Sequence, residues 1–302
     1  MIELLGIGTP VMDIYCEIEE SFFKKNGLKK GCTNHLDDKQ VLQIEKEITP
    51  IYKYPGDNAR NVCEAFAKAG AKVSAYCGNI ADDRTGKEIV KNLKQNRIEN
   101  FMQKIAGKTG RIICMIDKDK QRTFAVYLGV GEKHLNLQTV DAPKILFCTN
   151  ITLFHSDATK DILDFAIRCK KNGTKIAVSL ESENLIKQKV EQISELCKIV
   201  DYLFLNEDEM HAIGKNEQSI ATIAPVVFLK RGANGASVYE DGKLLAHVVA
   251  KKIDKVIDTT GAGDFFAGAT LNAILSGRNF VESARAGNEM AGQVISRVGA
   301  SV

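Results

Sequence analysis

Residues 256–264 read Val-Ile-Asp-Thr-Thr-Gly-Ala-Gly-Asp, and Phe265-Phe-Ala-Gly-Ala269 follow at once. Two apolar residues lead into a glycine-containing turn, and small residues then run into a helix expected at about 262–276. The start of a helix exposes unpaired N–H groups and a partial positive charge. Glycines there let backbone amides approach an anion closely. An ordinary N-cap would account for one aspartate, but not for two glycines with Asp258 and Asp264 on either side. A carboxylate in the first turn is expected to be held ionised by the dipole, which suits Asp264 as a base toward a hydroxyl. The stretch therefore reads as an anion site that ends in a base.

Outward from this stretch, strand and helix patterns alternate. Residues 2–8, 72–77, 145–149, 175–180, 201–205 and 226–230 read as strands. Residues 58–69, 85–95, 159–171, 184–197 and 280–297 read as helices, with Gly70 and Gly173 as closing glycines, and 236–249 reads as a hairpin. Such alternation predicts an α/β layered fold with a mostly parallel central sheet. Two stretches break the pattern. Residues 111–127 look like two strands around the polar turn 117–121, and 13–20 looks like another. They are expected to form a small antiparallel lid inserted into a single domain spanning 1–302.

The composition bounds the possibilities. The chain has 302 residues, 44% of them hydrophobic, enough for one large core. A net charge of +3 without a Lys/Arg-rich run argues against a nucleic-acid partner. No apolar run approaches the ~18 residues of a membrane span. The N-terminus reads as a first strand rather than a leader, and eight scattered cysteines read as reduced thiols of a cytoplasmic protein. Isolated histidines argue against a dedicated zinc site. Gly6-Ile-Gly8 lacks the third glycine of a dinucleotide fingerprint, and neither a P-loop nor a G-x-S-x-G elbow is present.

The 258–264 stretch resembles the C-terminal signature of the ribokinase/PfkB family of carbohydrate and nucleoside kinases, and the likeness runs over essentially the whole chain. The resemblance implies a ribokinase-like three-layer sandwich with a small β-sheet lid. It implies ATP-dependent phosphorylation of a primary hydroxymethyl group, with Asp264 as general base and the amides of Gly261, Ala262 and Gly263 as the anion hole. Positioning and charge stabilisation dominate such a transfer.

Further positions match. Pro55-Gly-Asp-Asn-Ala-Arg-Asn61 is similar to the family's glycine pair and asparagine, making Gly56, Asp57 and Asn61 candidates for the acceptor, with Asp57 standing where the family has its second glycine. Gly8-Thr-Pro-Val-Met-Asp13 resembles the family's first strand and the acidic residue that binds sugar hydroxyls; a carboxylate accepts two hydrogen bonds from a diol. Asn206-Glu-Asp-Glu209 matches the N-x-x-E motif, implying that Asn206 and Glu209 place Mg²⁺ and phosphates, partly through water. Lys230, Gly232, Gly235 and Asn288 match positions that bound the nucleotide. A monovalent cation near Asp258, Thr260 and Gly299 is implied by some relatives.

Gly8–Asp13 and Phe22–Gly31 look most like the adenosine-kinase branch, so an adenosine-like nucleoside is favoured over a free sugar. Phe22, Phe124 and Tyr127 are candidates for stacking its base. A sugar-phosphate acceptor would call on Arg111 and Arg122. A non-catalytic sugar or nucleotide sensor on this fold is the rival class, and the intact Asp264 speaks against it. The partner is a small molecule, and the chain is expected to be a monomer or a homodimer through the lid.

Overall fold

The computed structural model describes residues 1–154, 157–297 and 299. A nine-stranded sheet runs through the centre. From one edge its order is Lys243–Val248, Ala236–Glu240, Val226–Lys230, Tyr202–Asn206, Lys175–Ser179, Ile145–Thr149, Leu4–Ile7, Ser74–Cys77 and Ile98–Asn100. The last seven are parallel, and the hairpin strands at the first edge are antiparallel.

Alternation within these strands splits the core in two. Leu5, Leu146, Val178, Leu203 and Val227 face the layer formed by helices Thr159–Lys171, Glu183–Gln188 and Val190–Cys197. Leu4, Phe147, Ala177, Phe204 and Phe228 face the opposite layer, which includes Asn58–Lys68, Ala262–Leu275 and Phe280–Val294. Helices on both faces of a mostly parallel sheet make the expected three-layer α/β sandwich. Among the described residues no helix is long and apolar enough to cross a membrane, and all eight cysteines are unpaired.

Aromatic packing sets the signature helix. Phe204 and Phe228 stack at 4.9 Å, and Phe266 meets both edge-on at 6.3 and 6.4 Å. Burial of rings of this size, at roughly 25 cal/mol per Å², fixes the first turn of Ala262–Leu275 over the carboxyl ends of the strands. The helix Asn58–Lys68 then crosses it closely. A Cβ built on Gly268 would lie 2.4 Å from the Val62 carbonyl oxygen. Gly268→Ala is therefore expected to push the two helices apart. It should lower stability by about 1–3 kcal/mol, seen as a lower urea midpoint, and turnover should fall with it.

The small sheet has five strands, ordered Thr33–His35, Arg122–Gly129, Thr109–Ile116, Val11–Glu17 and Tyr52–Pro55. It is larger than the sequence patterns indicated and is not wholly antiparallel. Val11–Glu17 pairs parallel with Thr109–Ile116 and antiparallel with Tyr52–Pro55. One of its faces packs Met12, Ile14, Ile113, Met115 and Ala125 against the helix Asp38–Glu47. Cross-strand partners share a face, so the other carries Asp13, Tyr15, Tyr52, Tyr54, Ile112, Cys114, Arg122 and Phe124.

Candidate active site

Gly261, in the left-handed region at φ 78°, starts the helix Ala262–Leu275, which has no side-chain cap. Of the three glycine-loop amides, that of Ala262 donates to the Thr259 carbonyl at 3.2 Å, while Gly261 and Gly263 sit where helix amides lack intrahelical partners. Asp258 braces the turn from behind. Its Oδ1 accepts from the Thr260 amide at 3.0 Å and hydroxyl at 2.7 Å, and its Oδ2 accepts from the Gly299 amide at 3.1 Å. Burial alone would raise its pKa, but Thr260, Gly299 and Arg122 together take it below the usual value. Asp258, Thr260 and Gly299 thus meet at one place.

Asp264 is buried in the first turn. Its Oδ1 accepts from Asn58 Nδ2 at 3.3 Å and its Oδ2 from Asn61 Nδ2 at 2.9 Å. Its pKa is raised to about 6, not held low as the dipole argument expected. Burial is the main cause, opposed by Asn61, Lys230 and Asn58, while Asp57 adds to the rise.

Glu181 is a buried carboxylate that sequence reasoning missed. It follows the strand Lys175–Ser179, and Asn150 holds its backbone through bonds of 2.7 and 2.8 Å. Burial first, and the Asp264 charge second, push its pKa well up. The two buried carboxyls therefore titrate as an interacting pair, the charge on Asp264 disfavouring ionisation of Glu181. The available signal was an acidic residue directly after the strand pattern 175–180.

Lys230 ends its strand beside the glycine loop; a Cβ on Gly263 would lie 2.9 Å from its Nζ. Asn206, paired with Lys230 in register, caps the helix Glu207–Ala212. Its Oδ1 accepts from the Glu209 amide at 2.8 Å, and Glu209 Oε2 accepts from the Asn206 amide at 2.6 Å. Glu209 is buried, and that burial raises its pKa while Lys230 opposes the rise. Among the described residues no three His, Cys, Asp or Glu side chains converge on a metal position. Asn206 and Glu209 are the residues here that could take part in holding a hydrated hard cation.

Among the residues expected to face the acceptor, Gly56 fits under Asp13; a Cβ there would lie 2.4–2.5 Å from all three carboxyl atoms. Burial raises the Asp13 pKa to about 7, the Asp57 charge adds to the rise, and Arg60 opposes it. Asp57 keeps a glycine-like backbone at φ 89° and caps the helix Asn58–Lys68. Its carboxylate accepts from the Thr9 amide at 3.2 Å, the Arg60 amide at 3.1 Å and the Tyr76 hydroxyl at 2.9 Å. The side chain that departs from the family pattern is thus tied down by protein donors.

The small sheet closes the other side. Arg122 reaches Asp258 and Thr260 at 3.5 Å. Arg111 is occupied elsewhere, by Glu45 at 3.1 Å and the Thr109 carbonyl at 3.1 Å. Phe124 lies on the Asp13 face, whereas Phe22 and Tyr127 pack on the opposite one with the small-sheet core. Of the remaining positions expected on the nucleotide side, Gly232 at φ 54° has open space around it, and a Cβ built on Gly235 would lie 2.0 Å from the Val248 carbonyl oxygen. Asn288 donates to that same carbonyl at 2.9 Å, clamping the edge strand. A surface groove of about 680 Å³ beside His134, Asp161 and Arg168 is lined by none of these residues.

The profile described as pfkB family carbohydrate kinase matches residues 33–302. The chain belongs to the pfkB family. Its members are phosphotransferases that act on hydroxyl groups, using ATP and typically Mg²⁺. This pfkB kinase is 25% identical to an adenosine kinase of Schizophyllum commune, across 98% of the chain and 96% of that protein. It is 24% identical to a 5-dehydro-2-deoxygluconokinase of Listeria innocua, across 83% and 84%. The solved adenosine kinase from Sinorhizobium meliloti superposes with a TM-score of 0.87 at 24% identity, over 100% of this chain and 96% of that one. The pfkB fold is thereby shown, and sugars or nucleosides are the class of acceptor.

Proposed function

We propose that this pfkB kinase transfers the γ-phosphoryl group of ATP to the primary hydroxymethyl group of a nucleoside, adenosine-like in shape, with Asp264 as general base. The observation that carries the reading is the placement of the buried Asp264 carboxylate, with its two asparagine donors, in the first turn of a helix that opens at Gly261 without a side-chain cap. Asp264 takes the hydroxyl proton as the acceptor oxygen bonds to phosphorus, and the bond from phosphorus to the ADP oxygen breaks. The Gly261 and Gly263 amides, with Lys230, face the charge on the transferring group. Asp13 accepts hydrogen bonds from two sugar hydroxyls, Gly56 lets the ring approach, and Asn61 orients the base. Asn206 and Glu209, with Glu181 behind them, suit Mg²⁺ carried in on the phosphates; the ion supplies charge neutralisation.

The nucleoside is favoured by the apolar surface beside Asp13. Tyr15, Ile112, Cys114 and Phe124 form a wall for a flat base. A sugar-phosphate acceptor fits less well, because Arg111 is spent on Glu45. Release of ADP, coupled to an optical readout, is the test across adenosine, other nucleosides, ribose, fructose, 5-dehydro-2-deoxygluconate and fructose phosphates. Adenosine is expected to give the highest kcat/KM. A higher value for a free sugar would overturn the nucleoside assignment, and binding without turnover by any of them would overturn the kinase reading of this site.

A further inference from the structure

Arg60 heads the fully buried side chains by volume among the described residues, yet it lies beside a site that depends on charge. An enclosed guanidinium is costly unless its donors are matched. Here nearly all are. Arg60 forms an ion pair with Glu64 one turn along the helix. Its Nη2 donates to the Tyr54 hydroxyl at 2.9 Å, and its Nη1 donates to the Pro55 carbonyl at 3.1 Å and to Asn61 Oδ1 at 2.7 Å. The guanidinium lies 4.6 Å from the centre of the Tyr54 ring. Glu64 is braced in turn by the Tyr54 hydroxyl at 2.9 Å and by Lys68 at 2.7 Å.

The bond to Asn61 has a consequence at the reacting end. An asparagine amide is nearly symmetric in shape, so its neighbours decide which end points where. Arginine can only donate, so Asn61 must turn its oxygen to Arg60 and its Nδ2 to Asp264. We propose that Arg60, held by Glu64 and Tyr54, is a positioning residue that locks the Asn61 amide as a donor to Asp264 and so keeps the base ionised. The proposal rests on the reading of Asp264 as that base. Arg60 itself is shut off from any substrate and acts only through Asn61.

Several other groups face Asp264. Asn58 and Asp57 come from the same helix start, Lys230 from its strand end, and Glu181 from the loop after Lys175–Ser179. Asn61 is the strongest of the groups that lower its pKa, and its orientation is set by a buried charge. Turned over, the Asn61 oxygen would face the carboxylate and drive it toward its protonated form.

The test uses Arg60→Met/Glu64→Met, which removes both buried charges together and leaves neither stranded. Its kcat is measured against pH with Mg·ATP and the best acceptor of the panel above, alongside Tm. The acid limb of kcat, with a midpoint near 6 in the parent if Asp264 governs it, is expected to move up by ~0.5–1 unit. At pH 6 kcat should drop about 2- to 5-fold, with acceptor KM changed less than about threefold. In an Asn61→Ala background, which should itself raise the midpoint, the pair change is expected to add no further shift. Arg60→Lys keeps the charge balance but loses the fork, so it should move the midpoint too, and it serves if the double variant does not fold.

A lowered Tm with an unmoved midpoint in either variant would overturn the proposal, leaving the pair a structural device only. So would an additional shift in the Asn61→Ala background. Near-normal turnover of Asp264→Asn would instead remove the base reading on which the proposal rests, so the two failures are distinguishable.

Discussion

Asp264→Asn is expected to lower kcat by roughly 10²- to 10⁴-fold while leaving acceptor KM within a few-fold of the parent, because a general base acts in the transition state. Steady-state ADP release at saturating acceptor reads both. Turnover near the parental rate would remove Asp264 from the mechanism. The parent should itself lose kcat as pH falls through about 6, where burial has placed the carboxyl. The same shift fixes a stability signature. The carboxyl ionises near 3.8 in the unfolded chain and near 6 in the folded one, so its charge costs stability at neutral pH. Between about 6 and about 4 that cost disappears. Asp264→Asn is thus expected to have a Tm at pH 7 equal to or above the parent's, with the advantage gone by about pH 4. A dead but unweakened enzyme is the pattern of a residue kept for chemistry.

Asp13→Ala is expected to raise acceptor KM by roughly 10²-fold or more, since hydrogen bonds to a charged group contribute ~1.5–3 kcal/mol each and a diol makes two. The effect on kcat should be smaller, because Asp13 lies on the acceptor side and not at the reacting oxygen. Only the ionised carboxylate accepts both bonds, and burial with the Asp57 charge has lifted its pKa to about 7. Acceptor KM in the parent should therefore climb as pH falls below about 7. Asp57→Asn keeps a helix cap but removes the like charge, and should move that climb to lower pH. KM profiles of the parent and the two variants check this. A KM indifferent to Asp13→Ala would sink its assignment to the acceptor.

The sequence was most readable where local patterns and tertiary demands agree. The strand 145–149 and the helix 159–171 fall where their patterns placed them. The helix expected over 184–197 is broken at Lys189 into Glu183–Gln188 and Val190–Cys197, a break that no glycine or proline announces. The short strands Thr33–His35 and Tyr52–Pro55 went unseen. A three- or four-residue strand carries too little periodicity to stand out, and it exists because the small sheet offers an edge to pair with. Phe22, Phe124 and Tyr127 looked equivalent as aromatic candidates. Strand register then placed only Phe124 on the Asp13 face.

What the chain determined by itself is chemical: a glycine turn opening a helix, an aspartate in its first turn, and acidic or amide residues at the ends of apolar strands. Those features follow from backbone geometry and residue type over a few positions, so they survive without the fold. The tertiary structure decided everything that depends on distance between remote segments. It pushed the Asp264 pKa up through burial where the local dipole argued for down, because desolvation outweighs a dipole once water is excluded. It turned Asp57 onto Thr9, Arg60 and Tyr76. It brought Asn61 across 203 residues to Asp264, with a buried Arg60 fixing which end of its amide arrives. Orientation of this kind is set by packing between elements, and no local pattern encodes it.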